Sequence, residues 1–473
     1  MDGLECSEIM LRALERTTRM DAEFYSKRNL FLEERLNAIG THPLQAYGAV
    51  LDCSAFYPSI AGDYTYDRGN VPFLRVDEIQ DGLVRITDST VFLPNEILRK
   101  NSTTIALAYP GDIVIAKGGN TLAKVGLVTD EFARYAVCRD VIILKTEQMT
   151  ELNPYFLWAF LHSSYGQGIL WRSASQTGQP HLTLPAIRDI KIPDAMEIAP
   201  RIEWLYRAST AMQRQSTVLY ESAQQRLLHA LKFEPQSISV SGIAEKTFST
   251  AAAAGRLDAE YYQPKYDDLL ELLDTSPTET LGELVTIGKS IEPGSAYYTD
   301  TGIPFIRVSD VSPMGIQPPS IHIPPSIEPS IERLYPRRDT ILFSKDGSVG
   351  IAYKVEEDMV AVTSGALLHL RLRDEVAVLP DYLALVLNSD IVRLQAERDT
   401  NGSVIEHWSI ADIERVVIPL LSPPIQREIA AQVQQSFALR RSAEQGIAAA
   451  VRAVEIAVEE DEAAALSFLA AQG

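Results

Sequence analysis

One seven-residue stretch occurs twice, as RMDAEFY from Arg19 to Tyr25 and as RLDAEYY from Arg256 to Tyr262. Solenoid repeats recur every ~20–50 residues, whereas these copies lie about half the chain apart, so the duplicated unit is a whole domain. Other landmarks recur in the same order. VPFLRVDEI (Val71–Ile79) returns as IPFIRVSDV (Ile303–Val311), and YPGDIVIAKGGNTLAKVGLV (Tyr109–Val128) as YPRRDTILFSKDGSVGIAYKV (Tyr335–Val355). NPYFLWAFLHS (Asn153–Ser163) returns as LPDYLALVLNS (Leu379–Ser389). TGQPHLTLPAIRDIKIP (Thr177–Pro193) returns as GSVIEHWSIADIERVVIP (Gly402–Pro419), which sets His181 opposite His407.

Each half closes in a long helical pattern. The first follows Pro200 and carries Leu205, Ala208, Met212, Leu219, Ala223, Leu227 and Ala230. The second follows Pro424 and carries Ile425, Ile429, Val433, Phe437, Ile447, Val451, Val454 and Val458. Spacings of three, four and seven make one apolar stripe on each helix, and proline suits a first helical turn. Helices this long, about 50 Å, suit a spacer in which the two pair as an antiparallel coiled coil. Within each half, GDIVIAKGG and DTILFSKDG are short strands ending in glycine turns, and NPYFLWAFLHS and PDYLALVLNS are amphipathic helices. The fold class is therefore α+β, with two tandem globules each followed by a long helix and an internal pseudo-two-fold. The expected domains are 1–198 and 236–422 for the globules, 199–235 for the central helix, and 423–473 for the C-terminal helix with an acidic tail.

The 473-residue chain has no run of apolar residues long enough to span a membrane and no visible secretory signal. Its three cysteines, Cys6, Cys53 and Cys138, are widely spaced, which fits a reducing cytoplasm rather than a disulfide or zinc framework. No Asn/Asp-Pro-Pro-Tyr/Phe motif, P-loop or nuclease-like carboxylate–lysine run is evident. KDGSVG lacks the strand–GxGxxG–helix context of a nucleotide site. Asp21, Glu23, Asp258 and Glu260 stand beside aromatic pairs with no nucleophile or metal-ligand neighbour, which points to domain anchoring or partner docking.

The ordered set of landmarks resembles the DNA-specificity subunit of type I restriction-modification systems. The strand-turn "GD–apolar–K–xGS–G", the "P-x-Y-L" helix and the helix entry at Ile418–Ile429 carry the resemblance, which spans nearly the whole chain. The first half departs from it at Asn120 and in lacking a counterpart of Gln426. The resemblance implies a non-catalytic subunit whose two globules each read one half of a split double-stranded DNA target. It implies helices that set the unread gap and dock two adenine-N6 methyltransferase subunits, with restriction subunits in a larger complex. It places S-adenosylmethionine on the methyltransferase and no cofactor on this chain. Alternatives are a specificity module of another phage-defence or DNA-modification assembly and, further off, a hydrolase or nucleotide-using enzyme built on the glycine turns.

Recurrence and divergence then sort the candidate DNA-binding residues. Lys117 and Lys345 precede glycine turns in both halves and suit phosphate contact, with Thr121, Lys124 and Ser348 beside them. Arg75 and Arg307 recur in PFLRV and PFIRV, so a positioning role is expected, since two different half-sites need different readers. Base readers belong where the halves differ: Arg172, Ser175, Gln176, Gln179 and His181 in the first, Arg398, Asn401, Ser403, Glu406 and His407 in the second. Neither histidine has ligand spacing, so no metal is expected. The formal net charge of −20 argues against non-specific coating of nucleic acid. It fits a reader whose phosphate neutralisation is shared with partners.

Overall fold

A computed structural model describes residues 6–11, 14, 19–57, 59–87, 89–175, 178–234, 243–400 and 407–472. The chain divides into two compact units, one of residues 1–211 with 442–473, the other of residues 212–441. These boundaries differ from contiguous globules with separate helices. The physical reason is that each unit takes part of both long helices, Ala199–Ala230 and Pro423–Glu459.

In the first unit, buried β-branched runs such as Ile113–Ala116 and Val141–Lys145 favour strands. They form the centre of a six-stranded sheet in the order Val50–Cys53, Val141–Lys145, Ile113–Ala116, Val125–Leu127, Leu83–Val84, Ile79–Gln80. Ile113 faces Leu144 and Ile115 faces Ile142 across the antiparallel ladder. A second sheet pairs Val71–Leu74 in parallel with Tyr135–Val137, flanked by Phe92–Leu93 and Leu107–Ala108. Thr41–Pro43 pairs with Lys191–Pro193. The helix Pro154–His162 starts on Asn153, whose side chain accepts from the N–H groups of Tyr155 and Phe156. Its Phe156–Leu161 run is wholly buried, and Trp158 Nε1 donates to the Gly82 carbonyl at 2.5 Å.

Two pieces of long helix complete this unit. Gly446 sits so close to Ser209 that an added Cβ would stand 2.3 Å from its hydroxyl. The segment expected as an acidic tail is instead a short helix, Glu462–Ala470, capped by Asp461 through the Ala464 N–H at 2.7 Å. Ala465 and Leu469 are buried in the same core as Ile198 and Ile202. The Glu462 carboxylate accepts from the Glu197 N–H at 2.8 Å.

The second unit repeats the plan. Val285–Gly288, Leu367–Leu372, Ile341–Ser344 and Ala352–Lys354 form a four-stranded sheet in that order, with Ile341 opposite Leu370 and Phe343 opposite Leu368. Ile303–Ile306 runs parallel to Val362–Thr363, and Thr278–Thr280 pairs with Val417–Pro419. Every strand of this sheet has its counterpart in the first unit. In the second unit Lys354, 7% exposed, is paired with Asp381 and Glu356 at 2.9 Å each. Arg441 and Gln434 on the C-terminal helix close the group onto Glu356 and Asp381. Within this unit the two long helices run antiparallel: Ser216 Oγ lies 3.0 Å from Ser436 Oγ, Gln432 reaches Ser222 and Arg226 reaches Glu428.

The buried phase of the central helix differs from the expected stripe. Leu205, Ala223 and Leu227 are buried, but Ala208, Met212, Leu219 and Ala230 are half-buried. The innermost positions are Ile202, Ser209, Ser216 and Ala223, seven residues apart. On the C-terminal helix they are Ile429, Ser436, Ala443, Ala450 and Ala457. Small residues allow close approach, and Ser436 Oγ donates to the Ser216 carbonyl at 2.7 Å, which satisfies a hydroxyl that burial would otherwise penalise. Among the described residues, no helix is long and apolar enough to cross a membrane.

A pH dependence follows from the second core. His369 is buried with Nε2 2.8 Å from Thr363 Oγ1. Burial, aided by Arg371, lowers its pKa to about 4. An unfolded histidine takes its proton near pH ~6.5, so the unfolded chain binds more protons between the two values. Stability should therefore fall as pH drops from ~6.5 to ~4, by up to about 3 kcal/mol. Urea unfolding across that window should show the slope, and His369→Gln should flatten it.

Candidate nucleic-acid interface

The duplicated signature builds a clamp. In the first unit Arg19 pairs with Asp21 at 2.5 Å and lies 4.7 Å over the Phe24 ring. Arg172 covers the same ring at 4.1 Å. Arg172 also donates to the Phe24 carbonyl at 3.0 Å and to Glu33 at 2.8 Å, with its side chain 12% exposed. In the second unit Arg256 pairs with Asp258 at 2.6 Å, and the Tyr261 ring lies between Arg256 at 4.9 Å and Arg398 at 5.5 Å. Hydrogen bonds from Arg19 and Arg256 hold the Asp21 and Asp258 carboxyls below the ordinary aspartate value. An aromatic face between two guanidiniums is a favourable cation–π arrangement. The clamp fixes the base of a loop: Arg19 donates to the Ala174 carbonyl, one residue before Ser175, and Arg398 stands just before the loop that ends at His407.

That loop meets the glycine turn by the same backbone bonds in both units. The Leu182 N–H donates to the Lys117 carbonyl at 2.7 Å, and the Trp408 N–H to the Lys345 carbonyl at 2.9 Å. Gly118 bridges His181, and Asp346 bridges His407. Gly119 and Gly347 turn the chain with φ of 69° and 76°, a region glycine enters without steric cost. The side chains at this frame differ. A Cβ on Gly118 would stand 3.0 Å from His181 Nδ1, so its absence makes room for the ring. In the second unit Asp346 occupies that place, and His407 Nδ1 donates to it at 2.8 Å. Burial works to raise the Asp346 carboxyl, but hydrogen bonds from Lys345 and His407 outweigh it and hold the pKa low. Lys345 is thus tied to Asp346, whereas Lys117 makes no ion pair among the described residues.

The structure brings Lys117, Thr121, Ser175, Gln179 and His181 to one turn–loop junction, and Lys345, Ser348 and His407 to the other. Thr121 turns its hydroxyl to the Gly118 carbonyl at 3.2 Å, while Lys124, Gln179, His181 and Ser348 are exposed. Gln176, Asn401, Ser403 and Glu406 lie outside the described residues. Arg172 and Arg398 are candidates for base contact by their place in the divergent stretches. Their donors are instead committed to Glu33, the Phe24 carbonyl and Asp399, because each stacks on a ring far away in sequence. Arg75 and Arg307 cap their own turns through Glu78 and Asp310. The basic run at Arg333–Arg338 is neutralised by Glu328, Asp358 and Asp339. A third loop also reaches the junction and was missed by sequence reasoning. Asp140, after Arg139, accepts from the Lys117 N–H at 2.9 Å, and Ala366, after Gly365, accepts from the Lys345 N–H at 2.9 Å. CRD against SGA is too short a match to be seen as a correspondence. Among the described residues no cluster could hold a metal ion.

The clamp makes Arg172 a positioning residue, and its removal should register as lost stability. Arg172→Ala removes the side-chain donor to the Phe24 carbonyl, one partner of Glu33 and a cation over the Phe24 ring, and should cost the first unit about 2 kcal/mol. Thermal unfolding measures this. An unchanged melting curve with an altered DNA target would instead mark Arg172 as a reader.

Residues 275–452 match the family model described as the type I restriction modification DNA specificity domain. No curated protein matches the chain. Among solved structures, the chain is similar to the S subunit of a type I restriction-modification system from M. genitalium, at 14% identity and a TM-score of 0.36, over 91% of this chain and 95% of that one. It is also similar to the HsdS subunit from Thermoanaerobacter tengcongensis, at 16% identity and a TM-score of 0.27, over 90% of this chain and 96% of that one. The likeness to a type I restriction modification DNA specificity domain thus rests on residues 275–452 of the chain.

Proposed function

We propose that this chain is the DNA-specificity subunit of a type I restriction-modification complex, with each unit reading one half of a split target. One observation carries the reading: both units hold the same clamp, turn and histidine loop by equivalent bonds, around side chains that differ. Recurrent parts suit phosphate positioning, and divergent parts suit base readout. Lys117, Thr121 and Lys124, with Lys345 and Ser348, take the first task. Ser175, Gln176, Gln179 and His181, with Asn401, Ser403 and His407, take the second. Arg172 and Arg398 hold the loops in place. The chain performs no chemistry and binds no cofactor. S-adenosylmethionine belongs to two adenine-N6 methyltransferase subunits docked on it, and restriction subunits join the same complex. With a net charge of −20, the chain alone binds DNA weakly and relies on partners to neutralise phosphates.

The long helices act as the ruler, paired as an antiparallel coiled coil. Inserting seven residues into each helix at facing positions, after Ser222 and before Gln432, keeps the seven-residue seam in phase. It lengthens the spacer by ~10 Å, about three base pairs. Sequencing of N6-methyladenine in a host carrying the chain and its methyltransferase partners should then show both half-sites retained and the unread gap longer by about that amount. Retained half-sites with the original gap would sink the ruler. A purified chain that methylates DNA unaided would sink the function.

A further inference from the structure

The junction of each unit contains one place where the backbone is the same and the chemistry is opposite. Ser54 Oγ donates to the Val137 carbonyl at 2.5 Å, and Ser290 Oγ donates to the Thr363 carbonyl at 2.5 Å. These bonds pin two loop segments side by side in each unit. Two residues beyond each serine stand Phe56 and Glu292, and two beyond each carbonyl stand Arg139 and Gly365. In the first unit Phe56 is 77% exposed. The Arg139 guanidinium lies 5.6 Å from its ring and 5.7 Å from that of Tyr57. Arg139 makes no ion pair among the described residues. Arg139 is exposed, so the N–H donors of its fork are open to solvent. In the second unit the exposed Glu292 accepts from the Gly365 N–H at 3.2 Å through Oε2, and the Ile291–Ser364 bridge holds it there. Its other oxygen, Oε1, remains an acceptor. Both places adjoin the partner of the turn lysine, since Asp140 and Ala366 receive the Lys117 and Lys345 N–H groups.

We propose that Arg139 reads a guanine in the half-site of the first unit and Glu292 reads a cytosine in the half-site of the second. The assignment rests on the DNA-reading function proposed above. A guanidinium fork matches guanine O6 and N7 in the major groove, and a carboxylate accepts from the cytosine N4 amino group. Each residue is rigidly based: Arg139 by two aromatic rings, Glu292 by a backbone hydrogen bond. That keeps the ordering cost of contact low. The shared frame explains how one architecture presents a donor in one unit and an acceptor in the other without rebuilding the loop.

The test is N6-methyladenine sequencing in a host carrying the whole chain with its methyltransferase partners. Arg139→Ala should relax one G·C position of one half-site, with a loss of discrimination of about tenfold to a hundredfold, and leave the other half-site intact. Glu292→Gln should shift one cytosine position of the other half-site toward adenine, which an amide matches through N6 and N7. If Arg139→Ala abolishes methylation, Arg139→Gln decides: methylation with the guanine preference relaxed or moved toward adenine supports the assignment, and methylation of the unaltered sequence overturns it. A wild-type split target that survives unchanged in all three variants overturns it as well. A wild-type host with no split methylated sequence would overturn the proposed function itself, a result distinguishable because it precedes any substitution.

Discussion

The arginine–aromatic clamp is the constraint on which each unit's loop architecture depends. Two guanidiniums on one ring, with an aspartate fixing one of them, turn a flexible surface stretch into a defined base. Without that base, the loop running to His181 or His407 would have to be ordered by whatever it binds, at a cost to affinity. With it, residues at the foot of the loop are fixed on folding, Ala174 in the first unit among them. Fixed root and variable tip are what a protein needs if it is to present different chemistry from one scaffold.

The helical seam obeys a different logic. Bulky side chains at its inner positions would hold the two backbones apart. Ser209 and Gly446 in one unit, and Ser216 and Ser436 in the other, let them approach until hydroxyl meets carbonyl. Close packing of small residues gains dispersion contacts but buries little apolar area per residue. The larger apolar contribution comes from the flanks, where Tyr206, Tyr220, Ile447 and Val454 are buried.

How much of this was legible in sequence depends on whether the signal was local. The duplication, the strand–glycine turns, the helix after Asn153 and the proline-started long helices all announce themselves through neighbouring residues, and each stands where its pattern placed it. The clamp could not be read that way. Arg172 meets Phe24 across most of the unit's sequence, so it was taken for a loop residue. The C-terminal stripe is largely buried as its apolar spacing indicates, whereas the central one is buried only at Leu205, Ala223 and Leu227, because Ser209 and Ser216 are polar and invisible to a search for apolar periodicity. The acidic tail expected within 423–473 forms a helix instead, because Asp461 caps it, a role its charged neighbours mask in the sequence. Arg139 and Glu292 are aligned by hydrogen bonds from Ser54 and Ser290, and a one-serine correspondence carries no weight until the carbonyls are seen.

The division of the chain has a consequence for how it is made. Residues 212–441 are one unbroken stretch, so the second unit has all its parts once that stretch has been synthesised. The first unit is begun before the second and finished after it: Ala465 and Leu469 complete its core, and they are made after all of residues 212–441. Until then its apolar surface waits uncovered, in the state where aggregation competes with folding. Damage at Ala465 or Leu469 is therefore felt by the part of the chain made earlier, while the part made in between is spared.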